Sequence, residues 1–438
     1  MTVNRRPLID RSLAVLAEGY AWLPNRMRDS AEPVLCTRVL GRPALAVRGP
    51  DAVRFFYDED HVRRHGALPE PVRATLFGQD PVHTLDGDAH RTRKRIFLPL
   101  LSPDRVTGIV EEVVRAWDDA VPEWAAQPRI TLFDEAGTVL TRGICRWAGV
   151  PLPDGDAAHP GPVAKVPSAP GRTRGLSSQA LAADLLAMVD GFATAGPRHF
   201  RARRARNRQE VRLAHLVDAV RAGTATAPTG SVLDAVCRHR DADGEPLGAR
   251  TAAVELLNVL RPTAAVAWFV AFAAHALHRW PAHREPLRDG DPAFATAFAH
   301  EVRRFYPFAP FLGGLAVREL SWRGATLPEG GIVLLDVYGQ NHDEKLWGDP
   351  YAFRPQRFLD RPAAVDALIP QGGGDPHTNH RCPGENVTIG LLEALAVRLA
   401  RLEYTLPEQD LTIPLRRIPT RPRSGVVLTD VRADPAAR

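Results

Sequence analysis

The amino-acid sequence predicts a mostly α-helical protein with a minor β part. From residue 101 onward, most long segments place apolar residues three and four positions apart, which is the period of an amphipathic helix. Segments that alternate apolar and polar residues, as strands do, are few and short. With 438 residues, of which 45% are hydrophobic, the chain is long enough to bury a sizeable core.

The individual elements follow from the same periodicities. The clearest predicted helices are 106–121, 179–193, 251–280 and 292–306. The predicted strands are a hairpin at 37–50 around a Gly-Arg-Pro turn, a strand–turn–strand at 315–336 and a last strand at 425–431. The β-rich parts therefore lie at about 30–60 and 315–336. Proline- and glycine-rich stretches at 151–175 and 224–230 are predicted surface loops, because helical patterns resume after them without a change in composition. We expect a single domain spanning residues 1–438.

Composition and charge exclude several classes of function. Acidic residues (51) are interspersed among the basic ones (56) without a long basic run, so we expect no nucleic-acid partner. No N-terminal apolar run is long enough for a membrane anchor. The four cysteines lie far apart without a CxxC pair, which argues against a zinc site or a disulfide framework and favours a reducing, cytoplasmic compartment.

One cysteine stands in the most informative stretch of the chain. Cys382 lies in the run QGGGDPHTNHRCPGENVTIGLLEALAVRLARL, between a glycine-rich loop and an apolar helix. A helix start favours the thiolate form of a preceding cysteine, through its dipole and its free N–H groups. Gly372, Gly373, Gly374 and Gly384 would let the backbone pass close to a flat cofactor. The alternative is a buried structural cysteine beside a helix cap.

A second motif precedes the cysteine loop. Glu301 and Arg304 are three apart on a predicted helix, where they share a face and form an ion pair. Such a pair alone is a weak signal, but it is followed in order by the two-strand segment, by FRPQRF (353–358) and by the cysteine loop. Together these resemble the cytochrome P-450 fold, in which haem lies between a long distal helix and a proximal cysteine loop. The resemblance implies that the Cys382 thiolate ligates the iron of haem b, and that Glu301, Arg304 and Arg357 brace the cysteine loop.

The long helix at 251–280 contains an unusual dipeptide. Arg261 is followed by Pro262, which frees a carbonyl within the helix and costs about 3 kcal/mol unless something uses the opening. A buried guanidinium needs an anionic partner, and its fork matches a carboxylate. That carboxylate could come from the protein, with Glu255 or Asp336 as candidates, or from a bound molecule.

The Arg-Pro pair decides the subclass. Typical oxygen-activating P-450 members carry an acid–alcohol pair at this point, whereas this sequence resembles the fatty-acid peroxygenase family within the superfamily. Six separated motifs carry the resemblance: FGQDPVHTLDGDAHRTRK (77–94), CRWAGVPL (145–152), GPRHFRARRAR (196–206), NVLRP (258–262), YPFAPFLGG (306–314) and PQGGG (370–374).

The resemblance implies the reaction. A fatty acid would place its carboxylate on Arg261, where it serves as the missing acid–base group beside Pro262, and hydrogen peroxide would replace dioxygen, reductant and any obligatory redox partner. Anchoring the acid by its carboxylate brings Cα and Cβ nearest the oxidant. The expected products are terminal alkenes, formed by oxidative decarboxylation, and 2- and 3-hydroxy fatty acids.

The resemblance also assigns the remaining site residues. His83 matches a distal position that is histidine in alkene-forming members, although it could be an ordinary loop histidine. Arg64, His90 and Lys94 fall where the family contacts the haem propionates, and His377 and His380 are interpreted as loop or propionate-side groups. The walls of the fatty-acid channel would come from Leu76, Phe77, Phe308 and Phe311, with plain core packing as the alternative for the aromatic residues.

Two other functions compete with this one. A conventional monooxygenase fed by ferredoxin and reductase is disfavoured, because Arg261 and Pro262 leave no local proton-delivery pair. A haem electron carrier or sensor would need two protein axial ligands and a closed distal side, whereas this distal helix is suited to hold an anion.

Overall fold

The computed structural model describes residues 9–28, 33–152, 177–362 and 364–432. The helices, in chain order, are α1 Ser12–Glu18, α2 Trp22–Met27, α3 Pro50–Tyr57, α4 Glu70–Leu76, α5 Gly87–Lys94, α6 Pro103–Ala125, α7 Leu132–Ala148, α8 Ser178–Asp190, α9 Pro197–Arg221, α10 Val232–Arg238, α11 Ala249–Ala264, α12 Val266–Arg279, α13 Arg284–Asp289, α14 Pro292–Phe305, α15 Val337–Asn341, α16 Glu344–Trp347, α17 Arg357–Asp360 and α18 Glu385–Arg401. The strands are β1 Val34–Val39, β2 Arg42–Val47, β3 Val62–Arg63, β4 Arg129–Thr131, β5 Phe311–Ala316, β6 Leu320–Trp322, β7 Ala325–Leu327, β8 Ile332–Asp336, β9 Glu403–Thr405 and β10 Val427–Arg432. The predicted fold class, mostly α with a minor β part, is confirmed.

One sheet joins the two predicted β-rich parts of the chain. Its strand order is β1-β2-β8-β5-β3, with β2 parallel to β8 and the other neighbours antiparallel. The predicted hairpin at 37–50 is present as β1 and β2, but it turns at Leu40 and Gly41, with φ of 51° and 74°. Arg42 and Pro43, which were expected in the turn, already pair within β2. The region expected to be β-rich nevertheless ends early, because Pro50 begins helix α3.

The segment 315–336 is more complex than the predicted strand–turn–strand. Its outer strands, β5 and β8, pair with each other as expected, but the connection between them folds into a second hairpin, β6–β7. That hairpin turns at Arg323 and Gly324, whose φ values of 47° and 79° fit a two-residue turn. Because arginine seldom adopts a positive φ, this turn has no clear signal in the sequence.

The predicted helix at 251–280 is broken into α11 and α12. Pro262 has no N–H to donate to the carbonyl of Asn258, which leaves a gap in the helical hydrogen bonds. The helix is interrupted three residues later at Ala265, whose carbonyl accepts a hydrogen bond from the N–H of Trp268, three residues further on, at 3.1 Å. Together the two helices are long and apolar enough to cross a membrane, but 83% of their most apolar window is buried inside the protein. They form the centre of the largest hydrophobic core, packed against α7, α9 and α18.

The other predicted helices are confirmed with small changes of boundary. The segments 106–121 and 292–306 lie in α6 and α14, and α8 ends at Asp190 instead of residue 193. The predicted strand at 425–431 is β10, paired with β4 and β9. The predicted loop at 224–230 connects α9 to α10, while most of the predicted loop at 151–175 lies outside the described residues.

Candidate active site

Cys382 lies in the loop that leads into α18. Its backbone N–H donates to the carbonyl of Gln371 at 3.3 Å, and a Cβ placed on Gly384 would lie 3.9 Å from its Sγ. Burial raises the pKa of the Cys382 thiol, while the N–H of Gly384 acts in the opposite direction. Burial therefore has a larger effect on this thiol than the N–H of Gly384, the residue just before α18 begins at Glu385. A metal ion bound to the sulfur is what stabilises a thiolate in such surroundings.

The glycines before the cysteine serve a purpose different from the expected one. A Cβ on Gly372 would lie 2.3 Å from the hydroxyl of Tyr57, and one on Gly373 would lie 2.2 Å from Cγ1 of Val53. Gly372 also has a φ of 92°, which disfavours any larger residue. Gly372 and Gly373 therefore let the loop pack against α3. Of the four glycines, only Gly384 is placed so that an added Cβ would approach the sulfur of Cys382.

The predicted bracing triad is formed. Nη2 of Arg304 lies 2.7 Å from the Glu301 carboxylate, and Nε of Arg357 lies 3.1 Å from it. Glu301 and Arg304 are fully buried. The remaining N–H groups of Arg304 donate to the carbonyls of Asn341 and Pro350 at 2.9 and 2.8 Å. The triad thus fixes the segment that precedes the cysteine loop.

A residue that the sequence reasoning missed makes the direct contact with the cysteine loop. Arg303, also fully buried, donates from Nε to the side chain of Gln371 at 3.0 Å and forms an ion pair with Glu385. Glu385 in turn binds Arg381 at 2.8 Å. The signal was present in EVRRFYP, where two adjacent arginines must point in different directions from one helix.

The three residues expected at the haem edge lie close together around His380. The ring of His90 stacks on His380 at 3.9 Å, and burial lowers the pKa of His90 to about 3. Arg64 donates to the carbonyl of Gly313 at 2.7 Å. Lys94 donates to the carbonyl of Asn379 and so also contacts the cysteine loop, while its propionate contact stays a prediction.

These residues fit a haem group. Nδ1 of His90 is buried without a hydrogen-bond partner among the described residues, which leaves a donor or acceptor for a bound group. Burial lowers the pKa of Arg64, and of Lys94 to about 8, and additional negative charge from propionates would stabilise both cations. A single thiol for the iron and cationic groups for the two propionates complete the set.

The distal side is marked by accessible side chains in the middle of the core. Most of α11 and α12 is buried, yet Asn258 and Val259 are partly accessible and Pro262 is exposed. His83 is exposed too, although the surrounding protein lowers its pKa well below the usual value by desolvation. His83 and Pro262 thus keep accessible surface among buried neighbours. The space beside these two side chains is the candidate distal pocket.

Arg261 lies beside that space. It is buried, donates from Nη1 to the carbonyl of Leu76, and donates from Nη2 to Oδ1 of Asn258 at 3.1 Å. Burial, followed by repulsion from Arg206, lowers the pKa of Arg261 to about 9. Both hydrogen-bond partners are uncharged, so neither of them balances the positive charge of the guanidinium.

The protein carboxylates considered as partners of Arg261 are engaged elsewhere. Glu255 pairs with Arg93 at 2.9 Å, and Asp336 pairs with Arg48 at 2.6 Å. The described residues contain five buried arginines, and four of them form ion pairs with carboxylates: Arg93, Arg206, Arg303 and Arg304. Within the described ranges, Arg261 is the buried arginine that has no carboxylate partner.

The structure brings some of the predicted channel residues together and separates others. The ring of Phe77 lies 5.9 Å from the Arg261 guanidinium and 4.8 Å from the His83 ring, so these three residues form one cluster. Phe308 packs on α12 in the largest core. Phe311 instead packs on Trp22 in a separate cluster, because it points to the opposite face of β5 from Leu312. For Phe311, plain core packing is the observed arrangement.

A second buried arginine shares a partner with Arg261. Arg206 on α9 donates to the carbonyls of Leu76 and Phe77, the latter at 2.8 Å, and pairs with Glu210 at 2.6 Å. Gly78 makes room for it, since a Cβ there would lie 2.1 Å from the guanidinium. The sequence did not single out Arg206, because the first half of α9 carries arginines on every face.

Comparisons with known proteins agree with this site. The cytochrome P450 family profile matches residues 293–417. Among solved structures, cytochrome P450SP alpha (CYP152B1) in complex with (R)-ibuprofen is 37% identical, covers 97% of this chain and 99% of that chain, and has a TM-score of 0.89. A phenylalanine-to-alanine variant of cytochrome P450 OleT in complex with arachidonic acid is 35% identical over 98% of both chains, with a TM-score of 0.88. Cytochrome P450EX alpha (CYP152N1) with myristic acid is 33% identical over 98% of both chains, with a TM-score of 0.87.

Curated sequences align over a shorter range. Cytochrome P450 1A1 of Rattus norvegicus is 31% identical over 162 residues, which is 34% of this chain and 29% of that protein. The chain thus spans less than a third of that relative, whereas it covers nearly all of the solved CYP152 structures. The chain belongs to the cytochrome P450 family and, within it, to the fatty-acid peroxygenases that include the CYP152 proteins.

Proposed function

We propose that this protein uses hydrogen peroxide to oxidise fatty acids at Cα and Cβ. Decarboxylation of RCH2CH2COOH by one H2O2 gives RCH=CH2, CO2 and two H2O. Hydroxylation gives the 2- or 3-hydroxy acid and one H2O. The chain is proposed to act as a single haem-thiolate domain on medium- to long-chain fatty acids, without an obligatory redox partner.

The observation that carries this proposal is the unpaired charge of Arg261. A buried guanidinium without an anion is costly, and four other buried arginines of the described chain all have carboxylate partners. A substrate carboxylate supplies the missing anion in a bidentate geometry. The related structures support this substrate class, because they were solved with myristic acid, arachidonic acid and (R)-ibuprofen, each a carboxylic acid.

The haem supplies the oxidising chemistry, because a cysteine thiolate on the iron pushes electron density toward O–O cleavage. The roles of the protein side chains follow from their positions. Cys382 would hold the iron, with Arg303 and the Glu301–Arg304–Arg357 triad fixing its loop. Arg64, His90 and Lys94 would contact the propionates.

On the distal side, Arg261 would hold the substrate carboxylate with Cα and Cβ directed into the cavity. The bound carboxylate, whose oxygens can accept and return a proton, would serve as the acid–base group for peroxide. This role replaces the acid–alcohol pair of oxygen-activating relatives, and Pro262 keeps the adjacent surface free of side-chain donors. Leu76, Phe77 and Phe308 would contact the acyl chain.

His83 would act as a neutral hydrogen-bonding group. Desolvation lowers its pKa well below the usual value, so its imidazole is uncharged at neutral pH. A neutral imidazole keeps one N–H donor and one acceptor, which is sufficient to direct peroxide or to accept a proton.

The test is a reaction of the purified haem-loaded protein with a saturated fatty acid and hydrogen peroxide, without reductase or nicotinamide. Gas chromatography should detect the terminal alkene that is one carbon shorter, 2- and 3-hydroxy acids, or both. A protein that forms no product from peroxide, but turns over once ferredoxin, reductase and dioxygen are supplied, would instead be a conventional monooxygenase.

A further inference from the structure

Glu255 is a fully buried carboxylate on α11 that anchors the turn carrying His83. Its Oε1 accepts hydrogen bonds from the backbone N–H of Val82 at 3.0 Å and from Nη1 of Arg93 at 2.9 Å. Val82 immediately precedes His83. The bond to Val82 therefore fixes the backbone on which the imidazole is mounted.

The second oxygen of Glu255 reaches Arg261 through one intervening amide. Nδ2 of Asn258 donates to Oε2 at 2.8 Å, and Oδ1 of Asn258 accepts from Nη2 of Arg261 at 3.1 Å. The three residues follow one another at three-residue intervals on α11, so each neighbouring pair shares a helix face. The carboxylate thus orients the guanidinium without touching it.

The intervening amide preserves the charge of Arg261. A carboxylate in direct contact would neutralise the guanidinium and compete with a substrate carboxylate for the same N–H donors. The neutral Asn258 oxygen occupies one donor and leaves the positive charge available. Glu255 itself is balanced by Arg93, so it does not act as the counter-ion of Arg261.

We propose that Glu255 is a positioning residue that orients Arg261 and His83 as a unit. Through Asn258 it governs how firmly the substrate carboxylate is held, and through Val82 it governs the partition between decarboxylation and hydroxylation. The inference rests on the proposed function, because it names what positions the residues of that same site.

Glu255→Gln is the sharpest variant, because it keeps the size of the side chain and one acceptor oxygen. If the Gln oxygen stays on Val82 and Arg93, the Gln NH2 faces the NH2 of Asn258. The side-chain amide of Asn258 must then rotate by 180°, so that its NH2 group faces the N–H groups of Arg261. The hydrogen bond between Asn258 and Arg261 is lost. If Gln turns over instead, its NH2 faces the N–H of Val82 and the His83 turn is released. Either orientation breaks one of the two links.

Asn258→Ala and Asp241→Asn complete the set of variants. Asn258→Ala removes the link to Arg261 but leaves Glu255 bonded to Val82 and Arg93. Asp241→Asn is the matched control, since Asp241 forms the other ion pair of Arg93 and bonds to neither Asn258 nor Val82. For each haem-loaded protein, the dissociation constants of myristic acid and of 1-tetradecanol are measured by calorimetry. The ratio of alkene to hydroxy acid and the melting temperature are measured in parallel.

We expect Asn258→Ala to weaken myristic acid binding by about tenfold while leaving tetradecanol binding unchanged. Glu255→Gln should show either this loss of myristic acid binding or a changed product ratio, according to which link it breaks, and Asp241→Asn should change neither quantity. Wild-type binding of myristic acid by Asn258→Ala, or wild-type binding together with a wild-type product ratio in Glu255→Gln, would overturn the inference. If Glu255→Gln does not fold, Asn258→Ala decides alone. If the wild-type protein itself does not bind myristic acid, the proposed function fails and this inference fails with it.

Discussion

At the scale of single residues, His83 illustrates how surroundings set a chemical role. Because desolvation keeps it neutral, we expect His83→Gln to move the products toward hydroxy acids: an amide still donates a hydrogen bond but does not exchange a proton at neutral pH. The measurement is the alkene to hydroxy-acid ratio by gas chromatography between pH 6 and 8, which should be nearly constant in the wild type. His199→Gln on α9 is the control, and an unchanged ratio in His83→Gln would show that this position does not select the product.

The sequence predicted the chemistry-bearing residues better than it predicted their partners. Cys382 and Arg261 stand out because a thiol before a helix and an arginine before a proline are chemically unusual. Arg303 did not stand out, because it contacts Gln371 and Glu385, which are distant in sequence. Asn258 did not stand out either, because its role is to separate the charges of Glu255 and Arg261. The contact of Lys94 with the carbonyl of Asn379 was not predicted for the same reason, since it joins residues far apart in the chain.

At the scale of elements, the C-terminal turn of α4 depends on α9. Arg206 holds the carbonyls of Leu76 and Phe77, and we expect Arg206→Ala to weaken fatty-acid binding by about tenfold, because these two partly buried carbonyls lose a charged donor next to Arg261. The measurement is a calorimetric titration with myristic acid.

Arg203 offers a matched comparison for Arg206. It pairs α9 with Glu70 at the other end of α4, but the pair is exposed and 3.4 Å apart. Such pairs contribute less than about 1 kcal/mol, so Arg203→Ala should bind myristic acid nearly as the wild type does. Equal losses in the two variants would mean that α4 is held as a whole and not through its last turn.

Helices were easier to predict than their interruptions. The apolar period of 251–280 extends through Pro262 without a change, so the pattern predicts one helix although the chain forms α11 and α12. The hairpin β6–β7 was missed for a related reason, since strands of three residues are too short for a period to register. Both features depend on individual backbone bonds and not on the hydrophobic pattern.

At the scale of the whole molecule, buried histidines link stability to pH. Burial lowers the pKa values of His275 and His300 to about 4, below the ordinary value of 6.5. Below pH 6.5 the unfolded chain therefore binds more protons than the folded protein. These two histidines leave the free energy of unfolding unchanged above pH 6.5 and lower it as the pH falls toward 4, by about 3 kcal/mol for each histidine.

His300→Gln tests this linkage. Nδ1 of His300 accepts from Nη1 of Arg303 at 3.0 Å, and a glutamine oxygen can accept the same bond without titrating. We expect the free energy of unfolding in urea, measured at pH 7 and pH 4.5, to fall less in His300→Gln than in the wild type. The same decrease in both proteins would assign the acid sensitivity to other groups.

The overall architecture was predictable because it rests on order and spacing along the chain. Helix α14 with Glu301 and Arg304, the strands of 315–336, FRPQRF and the cysteine loop follow one another in the predicted order, although the strand segment contains the additional hairpin β6–β7. The Glu301–Arg304–Arg357 triad is formed. The way the chain closes the site could not be predicted in the same manner. The pairing of β2 with β8 and the approach of α4 to α11 join residues far apart in sequence, and no local period records such contacts.

The most direct test of the central claim is whether Arg261 recognises a carboxylate. Myristic acid and 1-tetradecanol, which differ in the head group alone, are titrated into haem-loaded wild-type and Arg261→Ala proteins. We expect the wild type to bind the acid at least about thirtyfold more tightly than Arg261→Ala does, because removing one partner of a buried charge pair costs about 2 kcal/mol or more. The two proteins should bind the alcohol alike. Equal affinity of both proteins for myristic acid, with the haem spectrum of Arg261→Ala intact, would contradict the carboxylate anchor and the function built on it.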